Sequence, residues 1–201
     1  KTRNPHNTAH TPGGSSSGSA AAVAAGMVPL AVGSQTNGSV IRPAAFCGVV
    51  GYKPTHGTIS RHGVMPQSRT LDTMGVFARS VADAALLGDA LMAFDSRDPD
   101  MRAYGRPNLA AIAGQEPPAT PKFGFAKTPV WDKAEPDTRE AFAELTEALG
   151  DTCETIDLPA LFERGHAAHR AINVTEMAYN FDAYYRRGKD KLSPILVQAI
   201  E

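Results

Sequence analysis

Two clusters of serine and glycine carry the residue types most suited to chemistry: Gly13-Gly14-Ser15-Ser16-Ser17-Gly18-Ser19 and Gly33-Ser34-Gln35-Thr36-Asn37-Gly38-Ser39. The second sets the backbone N–H groups of Thr36, Asn37 and Gly38 beside the hydroxyl of Ser39. Acyl transfer needs that pairing, a nucleophile next to fixed donors for the negative oxygen of a tetrahedral intermediate. Ser15 and Ser39 are 24 positions apart. A helix and a strand fit in that interval, so the chain can turn back and bring the two hydroxyls together.

Other readings of glycine-rich loops stay open on the residues alone. One is a phosphate-binding loop and another is close backbone packing. A Walker-type loop ends in Gly-Lys-Ser/Thr, and neither cluster contains lysine. The histidines fall into no triad motif.

The elements that must position these clusters follow from periodicity. Nine of the 18 glycines lie in the first 57 residues, where the only charged side chains are Lys1, Arg3, Arg42 and Lys53. Glycine at that density among Ala, Val and Leu predicts a buried, tightly turned backbone, not a flexible linker. Ser19 to Met27 reads as a small-residue helix, Leu30 to Gly33 as an interior strand, Ser39 to Phe46 as a short helix, and Gly48 to Tyr52 as a strand. Ser80 followed by Asp83 is a capping signature for a helix over Ser80 to Phe94, with Ala84, Leu87, Leu91 and Phe94 on its apolar face. Residues 95–121 hold five prolines and read as an exposed excursion. Beyond it come a strand at Lys122 to Ala126, a helix at Asp137 to Leu149, a strand at Thr152 to Leu158 and a long helical region from Pro159 to Arg187. A helix-like run closes the chain at Glu201. Alternation of this kind predicts an α/β fold with a mixed, largely buried sheet flanked by helices.

Composition excludes several function classes. With 20 basic against 21 acidic residues the net charge is −1, so nucleic acid is not an expected direct partner. A hydrophobic content of 42% excludes a disordered tail. Two cysteines, Cys47 and Cys153, make neither a disulfide framework nor a four-ligand zinc site. No apolar run of membrane-spanning length and no leader-like apolar core occurs, so the expectation is a cytoplasmic protein with no membrane partner.

The stretch GGSSSGSAAAVAAGMVPLAVGSQTNGSVIRPAAFCGVVGYKPTHG resembles the amidase signature family. The resemblance continues through Leu71-Asp72-Thr73-Met74-Gly75 and Ala78-Arg79-Ser80-Val81-x-Asp83, covering about residues 11–94. Gln35 and the Ser39-Val40-Ile41-Arg42-Pro43 order are similar to a malonamidase-like branch. The resemblance implies Ser39 as the acyl-accepting nucleophile and Ser15, preceded by a cis peptide, as the bridging serine that relays the proton. It also implies an oxyanion hole from the N–H groups of Thr36, Asn37 and Gly38. The third member, a general-base lysine, belongs upstream of Ser15. Lys1 matches no lysine motif and Lys53 matches a structural segment, so neither takes the role. The chain therefore reads as the central part of one larger catalytic domain: signature core 11–94, excursion 95–121, later α/β region 122–201. By itself it is expected to be inactive.

Arg42 follows the nucleophile by three residues. Its planar fork suits a substrate carboxylate, and equally an internal ion pair with Asp72 or Asp83. Cys47 is expected to be a packed, inert thiol. His166 and His169 can share a helical face but lack a third ligand, so no metal site is expected. Tyr179, Phe181, Tyr184 and Tyr185 are expected in core or pocket lining. The expected reaction is hydrolysis of a carboxamide to carboxylate and ammonia, with a small-molecule amide as partner and no cofactor. The resemblance also allows a homodimer. Its second reading is the glutaminase component of a tRNA-dependent amidotransferase, working with partner subunits. A noncatalytic scaffold is the third.

Overall fold

The computed structural model describes residues 1–201 and divides them into two compact units, residues 1–115 with 173–201, and residues 116–172. In the first, α1 (Ser17–Ala24) leads into β1 (Leu30–Gln35), α2 (Ile41–Phe46), β2 (Val50–Tyr52), β3 (Thr73–Ala78), α3 (Val81–Leu91) and α4 (Leu109–Ala113). The sheet order is β1-β3-β2 with both pairings antiparallel. β3 is the central strand, buried along nearly its whole length. Periodicity does not announce it. A strand covered on both faces has no apolar–polar alternation, and Gly75 interrupts its apolar run.

Two apolar clusters hold this unit together. Ala20, Val23, Val40, Ala44, Cys47 and Phe77 pack on one side of the sheet, where α1 and α2 lie. Val76, Ala78 and Ala84 form the other cluster, with Leu30, Tyr52, Leu87 and Leu91 against them from β1, β2 and α3. Phe77 is fully buried, and truncating such a ring costs about 3–5 kcal/mol.

The close packing depends on glycine at chosen points. Gly33 on β1 lies directly opposite Gly75 on β3. A Cβ at Gly33 would come within 2.6 Å of Ser16 Oγ and 2.7 Å of the Phe77 ring. One at Gly75 would come within 2.7 Å of the Tyr52 carbonyl oxygen. Gly13 has φ +75, and a Cβ there would meet Pro43 Cα at 2.8 Å. These contacts let α1 and the start of α2 approach the sheet more closely than any larger residue permits.

Helix α3 starts as the sequence indicates: the Ser80 hydroxyl oxygen accepts from the Asp83 N–H at 3.1 Å and donates to the Asp83 carboxylate at 2.8 Å. It ends at Leu91, so Phe94 lies beyond it and is 52% exposed, not on the helix's buried face. The excursion 95–121 contains α4, whose first N–H groups are capped by Asp89: Leu109 and Ala110 each donate to its carboxylate at 2.8 Å.

In the second unit, β4 (Phe123–Ala126) pairs in parallel with β5 (Cys153–Ile156), joined by α5 (Pro136–Leu149). Pro136 at the first helical turn and Gly150 after the last mark its ends. Phe125, Trp131 and Phe142 form an aromatic cluster with centroids 5.4–5.6 Å apart. A 3-10 turn over Ala160–Arg164 precedes α6 (Gly165–Gly188), whose residues from Asn173 onward belong to the first unit, as does α7 (Pro194–Ile200). No helix is long and apolar enough to cross a membrane.

Candidate active site

β1 leads into the second serine-glycine segment and α1 begins within the first, at Ser17, so the sheet and helix set the two against each other. The Ser16 N–H donates to the Ser39 carbonyl oxygen at 3.3 Å. Ser16 Oγ donates to the Ser34 carbonyl at 3.2 Å and lies 3.3 Å from the Ser34 N–H that donates to it. The Gly14–Ser15 peptide is cis. The Gly14 carbonyl oxygen accepts from Arg42 Nε at 3.0 Å and from Arg42 Nη2 at 2.7 Å. The segments carrying Ser15 and Ser39 are thus joined through backbone atoms and Arg42; no hydrogen bond links the two hydroxyls themselves.

The Thr36–Gly38 segment is an irregular bend between β1 and α2, with Gly38 at φ +78. Gln35 fixes its far end: the side-chain oxygen accepts from the N–H of Val40 at 2.9 Å and of Ile41 at 3.0 Å. Those two donors at the head of α2 are therefore occupied within the protein. Thr36 fixes the near end, its hydroxyl donating to Asp72 Oδ1 at 2.5 Å.

A cavity of about 520 Å³ opens beside this bend. Ser15, Thr36, Asp72 and Arg61 are in its wall, with Asn180 and Phe181 from α6. Ser39 is half-buried and is not one of the wall residues. The other wall is built on a charged cluster that local sequence patterns do not signal. Arg61 forms a two-bond fork with Asp98, at 3.1 Å from Nε and 3.0 Å from Nη2, and also bonds the Asp100 carboxylate. Its Nη1 donates to the carbonyls of Arg69 at 2.6 Å and Asp72 at 3.3 Å. Arg69 bonds Asp100 in turn at 2.9 Å. The Asp98 side chain is only 2% exposed, and the Arg61 hydrogen bonds hold its carboxyl down at about 2. Nothing near Arg61 in sequence marks it, since its acidic partners lie 37 and 39 positions away.

Of the expected alternatives for Arg42, the internal ion pair is not formed. Asp72 binds Thr36 and the N–H groups of Gln67 and Ser68, and Asp83 binds Ser80. Arg42 instead clamps the Gly14 carbonyl and remains exposed. Cys47 is fully buried, its Sγ 3.4 Å from the Pro12 carbonyl oxygen, and burial raises its pKa. Lys53 donates to the Pro54 carbonyl at 2.7 Å. Of the aromatic group on α6, Phe181 lines the cavity, while Tyr179 and Tyr184 are largely exposed at 84% and 49%. Tyr184 still meets the Phe181 ring edge-on, with centroids 6.3 Å apart.

The chain matches the Amidase family over residues 1–195, and it belongs to that family. It is 39% identical over 188 residues to the A subunit of the glutamyl-tRNA(Gln) amidotransferase of Endomicrobium trichonymphae, a match covering 92% of this chain and 39% of that protein. The chain therefore spans well under half the length of the curated relative. Among solved structures, it superposes with a TM-score of 0.88 and 37% identity on a protein of a vestigial complex that bears on the origins of an s-triazine catabolic enzyme. That match covers 98% of this chain and 43% of the other. The native peptide amidase of Stenotrophomonas maltophilia superposes with a TM-score of 0.73 and 34% identity, over 93% of this chain and 39% of its own.

Proposed function

We propose that the full polypeptide is an amidase that hydrolyses a carboxamide to a carboxylate and ammonia through an acyl-Ser39 ester. The observation that carries this reading is the joining of the two serine segments, Ser16 N–H to the Ser39 carbonyl and Arg42 to the Gly14 carbonyl, in a chain of the Amidase family. Ser39 Oγ attacks the amide carbon. The developing oxyanion is received by the N–H groups of Thr36, Asn37 and Gly38. The hydroxyl proton passes through Ser15 to the leaving nitrogen, the C–N bond breaks, and ammonia departs. Water then attacks the ester and returns the proton to Ser39. A general-base lysine is supplied from sequence upstream of Ser15.

Arg42 serves this site in two ways. Its Nε and Nη2 hold the Gly14 carbonyl, and its guanidinium, exposed at the surface, is assigned to a carboxylate on the substrate. The test is ammonia release by the full-length protein from primary amides, together with labelling by a fluorophosphonate. The expected adduct maps to Ser39 and disappears in Ser39→Ala. A folded protein with neither turnover nor label overturns the reading in favour of a scaffold.

A second reading has its own support, the identity with the A subunit of glutamyl-tRNA(Gln) amidotransferases. In it, the amide is glutamine and the ammonia passes to a partner protein. Glutamine-specific ammonia release that rises on adding such partners favours it. Equal turnover of unrelated amides by the isolated protein does not.

A further inference from the structure

We infer that Asp72 is a positioning residue for the oxyanion-binding bend, coupling it to the wall of the cavity that receives the acyl group; this deepens the amidase reading and rests on it. Asp72 sits at the end of the loop that enters β3. One carboxylate oxygen, Oδ1, accepts the Thr36 hydroxyl at 2.5 Å. The other, Oδ2, accepts the N–H groups of Gln67 at 2.8 Å and Ser68 at 2.9 Å. Arg61 Nη1 holds the Asp72 carbonyl at 3.3 Å. Both oxygens and the backbone of this residue are therefore committed.

What Asp72 joins gives the arrangement its function. On one side is Thr36, whose own N–H is one of the three donors assigned to the oxyanion. On the other is the 67–70 loop, which Asn173, Glu176 and Asn180 of α6 grip by hydrogen bonds. Asn180 Nδ2 donates to the Gln67 carbonyl at 3.0 Å, and Gln67 Nε2 donates to Asn173 Oδ1 at 3.0 Å. Glu176 accepts the Ser68 hydroxyl at 2.5 Å and the Thr70 hydroxyl at 2.7 Å. The same stretch of α6 sets Asn180 and Phe181 in the cavity wall. A single carboxylate thus spans the donor bend and the helix that shapes the substrate side. Displacing a peptide N–H by a fraction of an ångström from the oxyanion weakens the transition state without touching ground-state contacts. A charged acceptor with three donors is the stiffest tether available to this bend, because charge-assisted hydrogen bonds are the strong ones.

The experiment compares the full-length parent with Asp72→Asn, Thr36→Val and the double variant, measuring kcat and KM for butyramide hydrolysis by ammonia release. Asp72→Asn keeps one oxygen for the Gln67 and Ser68 N–H groups, and Thr36→Val keeps the backbone donor while deleting the hydroxyl. Each single variant is expected to lose about 10- to 100-fold in kcat with KM changed by less than about threefold. The double variant is expected to lose no more than the worse single one, because both remove the same tether. Unchanged kcat in Thr36→Val, a loss confined to KM, or losses that multiply in the double variant overturns the inference. A parent with neither turnover nor a Ser39 label fails earlier, at the amidase reading, and this inference falls with it.

Discussion

Arg42 donates from both Nε and Nη2 to the carbonyl oxygen of Gly14, at 3.0 and 2.7 Å, across 28 positions of sequence. The arginine stands three residues after Ser39 and the carbonyl belongs to the residue before Ser15. One side chain of α2 therefore sets the distance between the two serine segments, and what would otherwise be a surface cation becomes part of the site's frame.

Removing that clamp should be felt by every substrate. Arg42→Gln deletes the fork, so hydrolysis of both butyramide and succinamic acid should fall, by about tenfold or more, because the Ser15 segment loses its anchor. The loss should be larger for succinamic acid, which carries a carboxylate for the free Nη1 end. Equal losses on the two substrates leave the clamp standing and remove Arg42 from substrate recognition.

Replacement of Ser39 by alanine should abolish fluorophosphonate labelling and lower amide turnover by at least about 1,000-fold. Ser15→Ala should lower turnover comparably while leaving the fold unchanged by circular dichroism. Retention of full activity in either variant removes that hydroxyl from the mechanism.

Arg61 ties stability to pH. Hydrogen bonds from Arg61 hold the Asp98 carboxyl at about 2, below its ordinary 3.8. A carboxyl whose folded pKa is depressed contributes stability above its unfolded pKa, and that contribution fades as pH falls through the folded value. Arg61→Gln leaves the buried Asp98 carboxylate without its cation and should cost about 3 kcal/mol at neutral pH. The gap between parent and variant in urea unfolding should narrow steadily between about pH 4 and about pH 2. A gap independent of pH would mean that lost packing, not lost pairing, explains the variant.

Cys47 should resist a thiol reagent in the native protein and react on unfolding, since it is fully buried and its pKa is raised by that burial. Native-state modification of Cys47, read by mass spectrometry, would contradict the packing of α2 against α1.

How much of the fold and site is legible in the sequence depends on where each partner lies in the chain. Ser80 and Asp83 announce the start of α3 because a cap is a local contract between neighbours, and the structure forms it. The buried setting of Cys47 is readable from Ala44 and Val49, which pack in the same cluster. β3 is not, because its full burial erases the alternation that identifies a strand. Asp72 lies in plain view within Leu71-Asp72-Thr73-Met74-Gly75, yet spacing and charge offer it only as a partner for Arg42. The partners it takes, Thr36, Gln67 and Ser68, are set by the way two loops meet. Arg61 gives no signal, since its acidic partners arrive from a proline-rich excursion that composition marks only as exposed.

The facing pair Gly33 and Gly75 has a consequence for how this protein can be altered. With no side chain on either strand at that rung, the sheet acts as a fixed spacer between Ser16, Phe77 and the Tyr52 backbone, and even one methyl group there has nowhere to go. Attempts to broaden the range of amides accepted should therefore leave that rung untouched. Diversity belongs at Met65 and Phe181, in the wall of the cavity, where a change of shape leaves the hydrogen bonds that position the serines in place.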